Sequence, residues 1–275
     1  MDKGIYTALS GGLAKAHDLE IIANNLANAN TPGFKRDTGT FNEYLTEIRR
    51  FDDVEGLERD IKVATQLDAR PSHDKSFVEM DGIYTDYRQG GLTQTGRPLD
   101  VGIEGNGFLE VLTPTGVKFT RQGNLNVSAN GQLVTSNGYP VLARAQAKEG
   151  EGEGAAAPEQ RVIQLGQGPV HITQDGILQQ NGLSVALLSL QEFHEAHWLE
   201  KVGSSYYRNV HPDNIKTENG ATQVHQGFLE SSNVNAVSEM TRLIEATRAY
   251  ESHMQAIKTY HEMDGKSANE IAKNG

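Results

Sequence analysis

The segment that comes closest to a catalytic motif contains two histidines and a glutamate. His194, Glu195 and His197 stand together, and Trp198 follows them. A zinc-protease motif needs two histidines four residues apart on one helical face, with the glutamate beside the metal-bound water. Here the histidines are three residues apart, which favours ordinary surface histidines over a metal site. A metal-dependent hydrolase stays open as an alternative that metal analysis can test.

Other signatures of enzymes are missing from the sequence. Gly105-Asn106-Gly107 has no third glycine for a dinucleotide-binding loop, and neither a complete Walker motif nor Gly-x-Ser-x-Gly occurs. The 275 residues include no cysteine, which excludes thiolate catalysis, disulfides and zinc–thiolate sites. A net charge of -11 argues against binding to nucleic acid or anionic lipid. We therefore predict that the protein is not an enzyme and uses no cofactor or metal.

The strongest periodic pattern lies at the two ends of the chain. Apolar residues recur there in steps of four and three, the period of a coiled-coil seam. The pattern predicts a helix over residues 3–28 and another from Asn233 to about Met263, with Asn235 as N-cap. We expect these helices to pack against each other and against copies in neighbouring molecules. The seam positions are Ile5, Leu9, Gly12, Ala16, Leu19, Ala23 and Leu26, then Met240, Leu243, Thr247, Tyr250, Met254 and Ile257.

An asparagine-rich turn follows the first helix. Asn24, Asn25 and Asn28 precede Thr31-Pro32-Gly33, a sequence that ends a helix firmly. A simple helix stop needs one asparagine or glycine, so the excess predicts side chains that hydrogen-bond to backbone. We expect the three asparagines to bond across a contact between subunits, and a purely local helix stop is the alternative.

The middle of the chain, residues 75–225, is typical of antiparallel β structure. Val101 and Ile103 belong to a period-two alternation, and Asn130-Gly131 and Asp175-Gly176 are hairpin-turn dipeptides. The predicted fold class is therefore α+β. Discontinuous terminal helices form a coiled-coil domain, and a central β-rich, mainly antiparallel domain lies between them.

The same patterns divide the chain into four parts. A short amphipathic helix is predicted from Phe41 to Ile48, and a flexible, glutamate- and glycine-rich loop over residues 148–159. The parts are the N-terminal helix and turn (1–35), an extended connecting region (36–74), a β-rich outer domain (75–225) and the C-terminal motif and helix (226–275).

Three sequence blocks, in this order, resemble the signatures of bacterial flagellar rod and hook proteins. They lie within residues 1–36, 91–139 and 226–251. Their most distinctive stretches are Asn24-Asn25-Leu26-Ala27-Asn28, Gly91-Leu92-Thr93-Gln94-Thr95-Gly96-Arg97-Pro98 and Gln226-Gly227-Phe228-Leu229-Glu230. Each block alone is moderately specific, and three in family order make a strong resemblance.

This resemblance implies a structural subunit of the flagellar basal body. Members of the family are exported by the flagellar type III apparatus without a cleaved signal and polymerise helically into the periplasmic rod. Their terminal helices line a tube, and their β domain faces outward. Expected partners are copies of this chain, other rod proteins and the export apparatus, with no nucleic acid and no membrane insertion. The assembly interface is then predicted to contain Ile5, Leu9, Gly12, Leu19, Leu26, Asn24, Asn25, Asn28, Met240, Leu243, Tyr250, Met254 and Ile257.

The position along the flagellar axis remains open at this point. The resemblance fits a proximal rod subunit, and a distal rod or hook subunit is the alternative. A secreted adhesin whose helices merely trimerise is a further alternative from another class. The size of the assembly separates them, because an adhesin forms a small closed oligomer and a rod forms an open tube.

Overall fold

Two long helices stand at the two ends of the chain. The computed structural model describes residues 2–45, 76–144, 157–203, 205–216 and 222–274. Helix α1 spans Asp2–Ala27 and agrees with the sequence prediction, and helix α2 spans Ala236–Asn274. The predicted N-cap of α2 is confirmed, because Asn235 Oδ1 accepts a hydrogen bond from the backbone N–H of Ser238 at 3.1 Å. The predicted end of this helix at about Met263 is wrong, since α2 continues to Asn274.

The strands between the helices are mostly short, and those from Leu92 onward pair antiparallel. They are β1 (Asp37–Leu45), β2 (Ser76–Thr85), β3 (Leu92–Gln94), β4 (Val101–Glu104), β5 (Phe108–Thr113), β6 (Gly116–Thr120), β7 (Leu125–Val127), β8 (Leu133–Thr135), β9 (Val170–Ile172), β10 (Ile177–Gln180), β11 (Leu183–Leu187), β12 (Leu190–Gln191), β13 (Leu199–Val202), β14 (Tyr206–Asn209), β15 (Gln223–Gln226) and β16 (Phe228–Glu230). The α+β class is therefore confirmed.

The largest sheet has five strands in the order β12-β5-β6-β14-β13. The predicted hairpins are present: Asn130-Gly131 lies between the paired strands β7 and β8, and Asp175-Gly176 lies between β9 and β10. The alternating residues Val101 and Ile103 are fully buried on β4. Strand β15 pairs with β4 and strand β16 with β3, so residues 223–230 join the sheet system from the C-terminal side.

The predicted helix at Phe41–Ile48 is wrong over its described part. Residues 37–45 form β1, which pairs with β2, and the Thr40 hydroxyl donates to the carbonyl of Gly82 at 3.3 Å. Threonine and aromatic residues favour a strand once a partner strand is available, and here the partner comes from 76–85. Ile48, most of the connecting region and residues 148–156 of the predicted loop lie outside the described residues.

The chain divides into two compact units. The terminal unit consists of Met1–Ala23, Thr38–Ile83 and Met240–Gly275, and the β unit consists of Asn24–Asp37 and Tyr84–Glu239. The β unit has an aliphatic core around Val101, Leu109 and Leu178 and a separate aromatic cluster. In that cluster the rings of Phe108 and Tyr207 meet edge to face at 5.5 Å. Neither helix contains, in its described residues, a stretch long and apolar enough to cross a bilayer.

Candidate assembly interface

The asparagine-rich turn is held by hydrogen bonds within the chain. Asn25 is fully buried; its amide nitrogen donates to the carbonyl of Asp37 at 2.7 Å, and its amide oxygen accepts from the N–H of the same residue at 2.9 Å. The Asn28 side chain donates to the carbonyl of Asn24 at 2.9 Å and accepts from the Thr31 hydroxyl at 3.1 Å. These contacts match the local helix stop, and they fix the path of the chain from α1 to β1.

The backbone conformation and the close contacts at position 33 explain why the turn has a glycine there. Its φ is +68°, a conformation that costs energy for residues with a Cβ. A Cβ added to it would lie 2.4 Å from the backbone carbonyl of Arg121. Its N–H donates to the carbonyl of Glu230 at 2.8 Å. The turn is therefore in direct backbone contact with two segments that are distant in sequence.

A buried ion cluster lies next to this turn. Glu230 accepts from Lys35 Nζ at 2.6 Å and from the Arg121 guanidinium at 3.1 Å, and all three side chains are 2% exposed or less. The N–H of Gly90 also donates to the Glu230 carboxylate, at 2.9 Å. Lys35, Arg121 and Glu230 come one each from the three sequence blocks, so the blocks meet at this point of the β unit.

The electrostatics of the cluster depend on Glu230. Burial lowers the pKa of Lys35 and the pKa of Arg121, and the carboxylate of Glu230 opposes both shifts. Backbone carbonyls accept one further hydrogen bond from each cation, with Lys35 Nζ 2.8 Å from the oxygen of Arg88 and Arg121 2.5 Å from that of Gly105, while Arg121 Nε has no partner among the described residues. Charges removed from water in this way are tolerated when they are paired and hydrogen-bonded.

Further polar contacts join the same segments. The Arg36 side chain pairs with the buried carboxylate of Glu239 at 2.7 Å, and the backbone N–H of Arg36 donates to Asn233 Oδ1 at 2.8 Å. Lys201 pairs with Asp37 at 2.7 Å and lies 3.8 Å from the centre of the Phe34 ring. The residues after α1 are thus bonded within the β unit to residues just before α2 and in its first turn.

Sequence reasoning missed this cluster. Lys35, Arg121 and Glu230 are ordinary charged residues in a chain rich in them, and the first and last are 195 positions apart. Their presence inside the three blocks is the signal that could have indicated a shared site, because a charged residue in a family signature needs a reason to be there.

The two terminal helices contact each other in the terminal unit. A Cβ on Gly11 would lie 2.7 Å from the His253 ring, and a Cβ on Gly4 would lie 2.9 Å from the Tyr260 ring. A seven-residue step along α1 thus matches a seven-residue step in the reverse direction along α2, so the helices run antiparallel. Glycines on α1 make room for large side chains of α2. Gly12 lies in the same region, 3.6 Å from His253 Cβ for an added Cβ.

The face of α1 that is buried differs from the predicted seam. The buried positions are Gly11, Gly12, Ala14, Ile21, Ile22 and Asn25. Among the predicted interface residues, Gly12 and Asn25 are buried, Leu9, Asn24, Met240 and Met254 are exposed, and Ile5, Leu19, Leu26, Asn28, Leu243, Tyr250 and Ile257 are half-buried.

Large apolar side chains face solvent on both helices of the terminal unit. On α1 these are Tyr6, Leu9 and Leu13, which are 53–59% exposed and recur at helical spacing. On α2 they are Met240, Ile244, Met254 and Met263, which are 45–54% exposed. We call the first set the α1 stripe, and Met240 with Ile244 the α2 stripe. Exposed apolar surface of this kind marks contact sites.

The histidine segment has no metal-binding geometry in the described part of the chain. No group of three or more histidine, aspartate or glutamate side chains is placed there to hold an ion. His197 lies 3.3 Å from Glu195, and the Trp198 ring lies 4.6 Å from that of His211. These contacts are those of partly exposed surface residues.

Comparison with known families defines the class of protein. Residues 5–35 match the model of the flagella basal body rod protein, residues 102–181 match the flagellar hook protein FlgE/F/G D1 domain, and residues 225–271 match the flagellar basal body rod FlgEFG protein C-terminal. The class is therefore the rod and hook proteins of the bacterial flagellum, and the three matches fall on α1 with its turn, on the sheets and on α2.

Full-length relatives narrow the assignment. The chain is 33% identical to the flagellar basal-body rod protein FlgF of Caulobacter vibrioides over 99% of both chains. It is 33% identical to FlgF of Rhizobium meliloti, over 92% of this chain and 90% of the relative. It is 30% identical to FlgG of Buchnera aphidicola subsp. Schizaphis graminum, over 96% and 97%. The chain belongs to the flagellar basal-body rod protein family, which is a structural family.

Proposed function

We propose that this structural rod subunit assembles helically through its two terminal helices and belongs to the proximal part of the rod. Its partners in this proposal are further copies of itself and other rod proteins. The export apparatus of the flagellum delivers it to the periplasm without cleaving a signal. The axial part comprises residues 1–35 and 226–275, residues 36–74 connect, and residues 75–225 form the outer domain.

The observation that carries the proposal is the exposed apolar surface of the terminal unit. A side chain such as Leu13, which is 59% exposed, gains about 1–2 kcal/mol when the exposed part is buried. In the described parts of the two helices, side chains of α2 cover the glycine-lined face of α1, and the apolar stripes stay exposed. Neighbouring subunits, which carry the same stripes, bury these exposed side chains.

The proximal assignment has two supports. The opening residues Met1-Asp2-Lys3-Gly4-Ile5-Tyr6-Thr7-Ala8-Leu9 are most similar to those of proximal rod proteins, and FlgF relatives match the chain over nearly its full length. FlgG relatives match over similar lengths, which keeps the distal rod as the alternative. Imaging of basal bodies from a deletion strain would separate the two by where the axial structure stops.

A substitution in the α1 stripe tests the proposed interface. Leu13→Asp should leave the chain folded, because the side chain is already exposed, and should reduce incorporation into basal bodies and motility at least tenfold, since about 1.4 kcal/mol per contact is a factor of ten. Leu183→Asp is the matched control, because Leu183 on β11 is 73% exposed and lies in the β unit. Normal incorporation of Leu13→Asp would contradict the proposal.

A further inference from the structure

The two stripes lie on opposite sides of the helix pair. Gly11 marks the face of α1 that meets α2, and at about 100° per residue Leu9 and Leu13 lie about 160° away from it. His253 marks the face of α2 that meets α1, and Met240 and Ile244 lie about 140–180° away from it. Each stripe therefore faces away from the other helix of its own chain.

The stripes also lie at different heights along the pair. The contacts of Gly4 with Tyr260 and of Gly11 with His253 put Leu9 level with residue 255 of α2. Met240 is fifteen residues from that level, which corresponds to about 22 Å at 1.5 Å per residue. The two apolar surfaces of one chain are thus offset by roughly 20 Å along the helix axes.

We propose that the α1 stripe of one copy packs antiparallel on the α2 stripe of the next copy, with an axial offset of about 20 Å. The inference rests on the proposed function and specifies how its subunits meet. In this register Tyr6 of one copy is level with Ile244 of the next copy. Met240 of that next copy then lies between Leu9 and Leu13 of the first, so each apolar side chain faces apolar neighbours. Both helices keep the directions they have within one chain.

This geometry generates a helix and not a closed pair. The two contacting surfaces differ, so each copy that uses one stripe still presents the other, and the contact is repeated head to tail. Because every contact carries the same axial offset, successive copies rise along the axis. A contact at equal height, with Leu9 against Met254 of the neighbour, would build a flat ring.

The area of the stripes indicates that the molecule that covers them is a neighbouring copy within a polymer. Five side chains that are about half exposed offer on the order of 500 Å² of apolar surface in total. Specific two-protein interfaces need about 1,000 Å² or more. One stripe contact is therefore too small for a stable dimer, and copies hold together when each makes several contacts at once.

The absence of cysteine from the 275 residues makes the register directly testable. The double variant Leu9→Cys with Met240→Cys should give ladders of disulfide-linked multimers when basal bodies are oxidised mildly. Within one copy the two positions are about 22 Å apart along the axis, too far for a disulfide. The control variant Leu9→Cys with Met254→Cys should give at least tenfold less cross-linked product.

The outcomes separate this register from the proposed function. Detection of the tagged wild-type chain in purified basal bodies supports rod assembly, and its absence there would overturn both proposals. Cross-linking of Leu9→Cys with Met254→Cys alone, or of neither pair in assembled rods, would overturn the staggered register and leave rod assembly standing. If the cysteine variants fail to assemble, charge reversal replaces them: Leu13→Glu should reduce incorporation, Met240→Lys should restore it and Met254→Lys should not. Restoration by Met254→Lys instead, or by neither, would overturn the register.

Discussion

The β unit and the terminal unit differ in which side chains they bury and which they expose. In the β unit, charged groups such as Lys35 and Glu230 are buried and paired with each other. In the terminal unit, large apolar groups such as Tyr6 and Leu13 face solvent. The β unit compensates its buried charges internally, whereas a unit with exposed apolar stripes gains stability from additional surface. In our proposal, this difference leaves fold maintenance to the first unit and association to the second.

Removal of the central carboxylate should disrupt the β unit most strongly. Glu230→Gln leaves two buried cations without their shared anion, and we expect a loss of about 3–5 kcal/mol in the free energy of unfolding. Urea denaturation followed by circular dichroism measures it. Glu200→Gln is the control, since Glu200 pairs with Arg208 at the exposed surface and should cost less than about 1 kcal/mol. Equal losses in the two variants would show that burial of the cluster has no special energetic role.

A methyl group at Gly33 should separate backbone strain from steric overlap. Gly138→Ala, at φ +82° with nothing within 4 Å of the added Cβ, should cost about 1–2 kcal/mol from strain alone. Gly33→Ala adds overlap with the Arg121 carbonyl and should cost about 1–3 kcal/mol more. Denaturation midpoints of the two variants test this. If Gly33→Ala costs no more than its control, the turn is not packed as tightly as described.

Two adjacent tyrosines should respond to loss of the hydroxyl in opposite directions. The Tyr206 hydroxyl lies 3.1 Å from that of Thr135, so Tyr206→Phe should cost about 1 kcal/mol. The Tyr207 hydroxyl is buried and has no hydrogen-bond partner among the described residues; burial raises the pKa of Tyr207 well above its usual value. Tyr207→Phe should therefore be neutral or stabilise by up to about 1 kcal/mol. Thermal unfolding of both variants gives the comparison, and a larger loss for Tyr207→Phe would contradict it.

Local features of the fold were predictable from the sequence, and long-range ones were not. The bounds of α1, the N-cap at Asn235 and the turn at Asn130-Gly131 follow from short-range periodicity and turn chemistry. The helix expected at Phe41 was wrong because the pairing of β1 with β2 outweighs local spacing.

The site was predictable only in outline. The apolar periodicity located both terminal helices, but their buried faces depend on which side of α1 carries Gly4 and Gly11 toward α2. The ion cluster was out of reach for the same reason, since three charged residues far apart in sequence show no spacing rule. The sequence pattern of one segment indicates which of its residues are apolar. The segment that packs against it determines which of these residues are buried.

The pairing of Lys35 with Glu230 has a consequence for the order in which the molecule folds. The two residues are 195 positions apart, so the β unit encloses them only after nearly the whole polypeptide is available. Contacts of such long sequence separation slow folding, because a large loop must close before they form. A chain that passes through a narrow conduit from its N-terminus would therefore stay incompletely folded until its last fifty residues emerge. The β unit would then complete its folding in one late step.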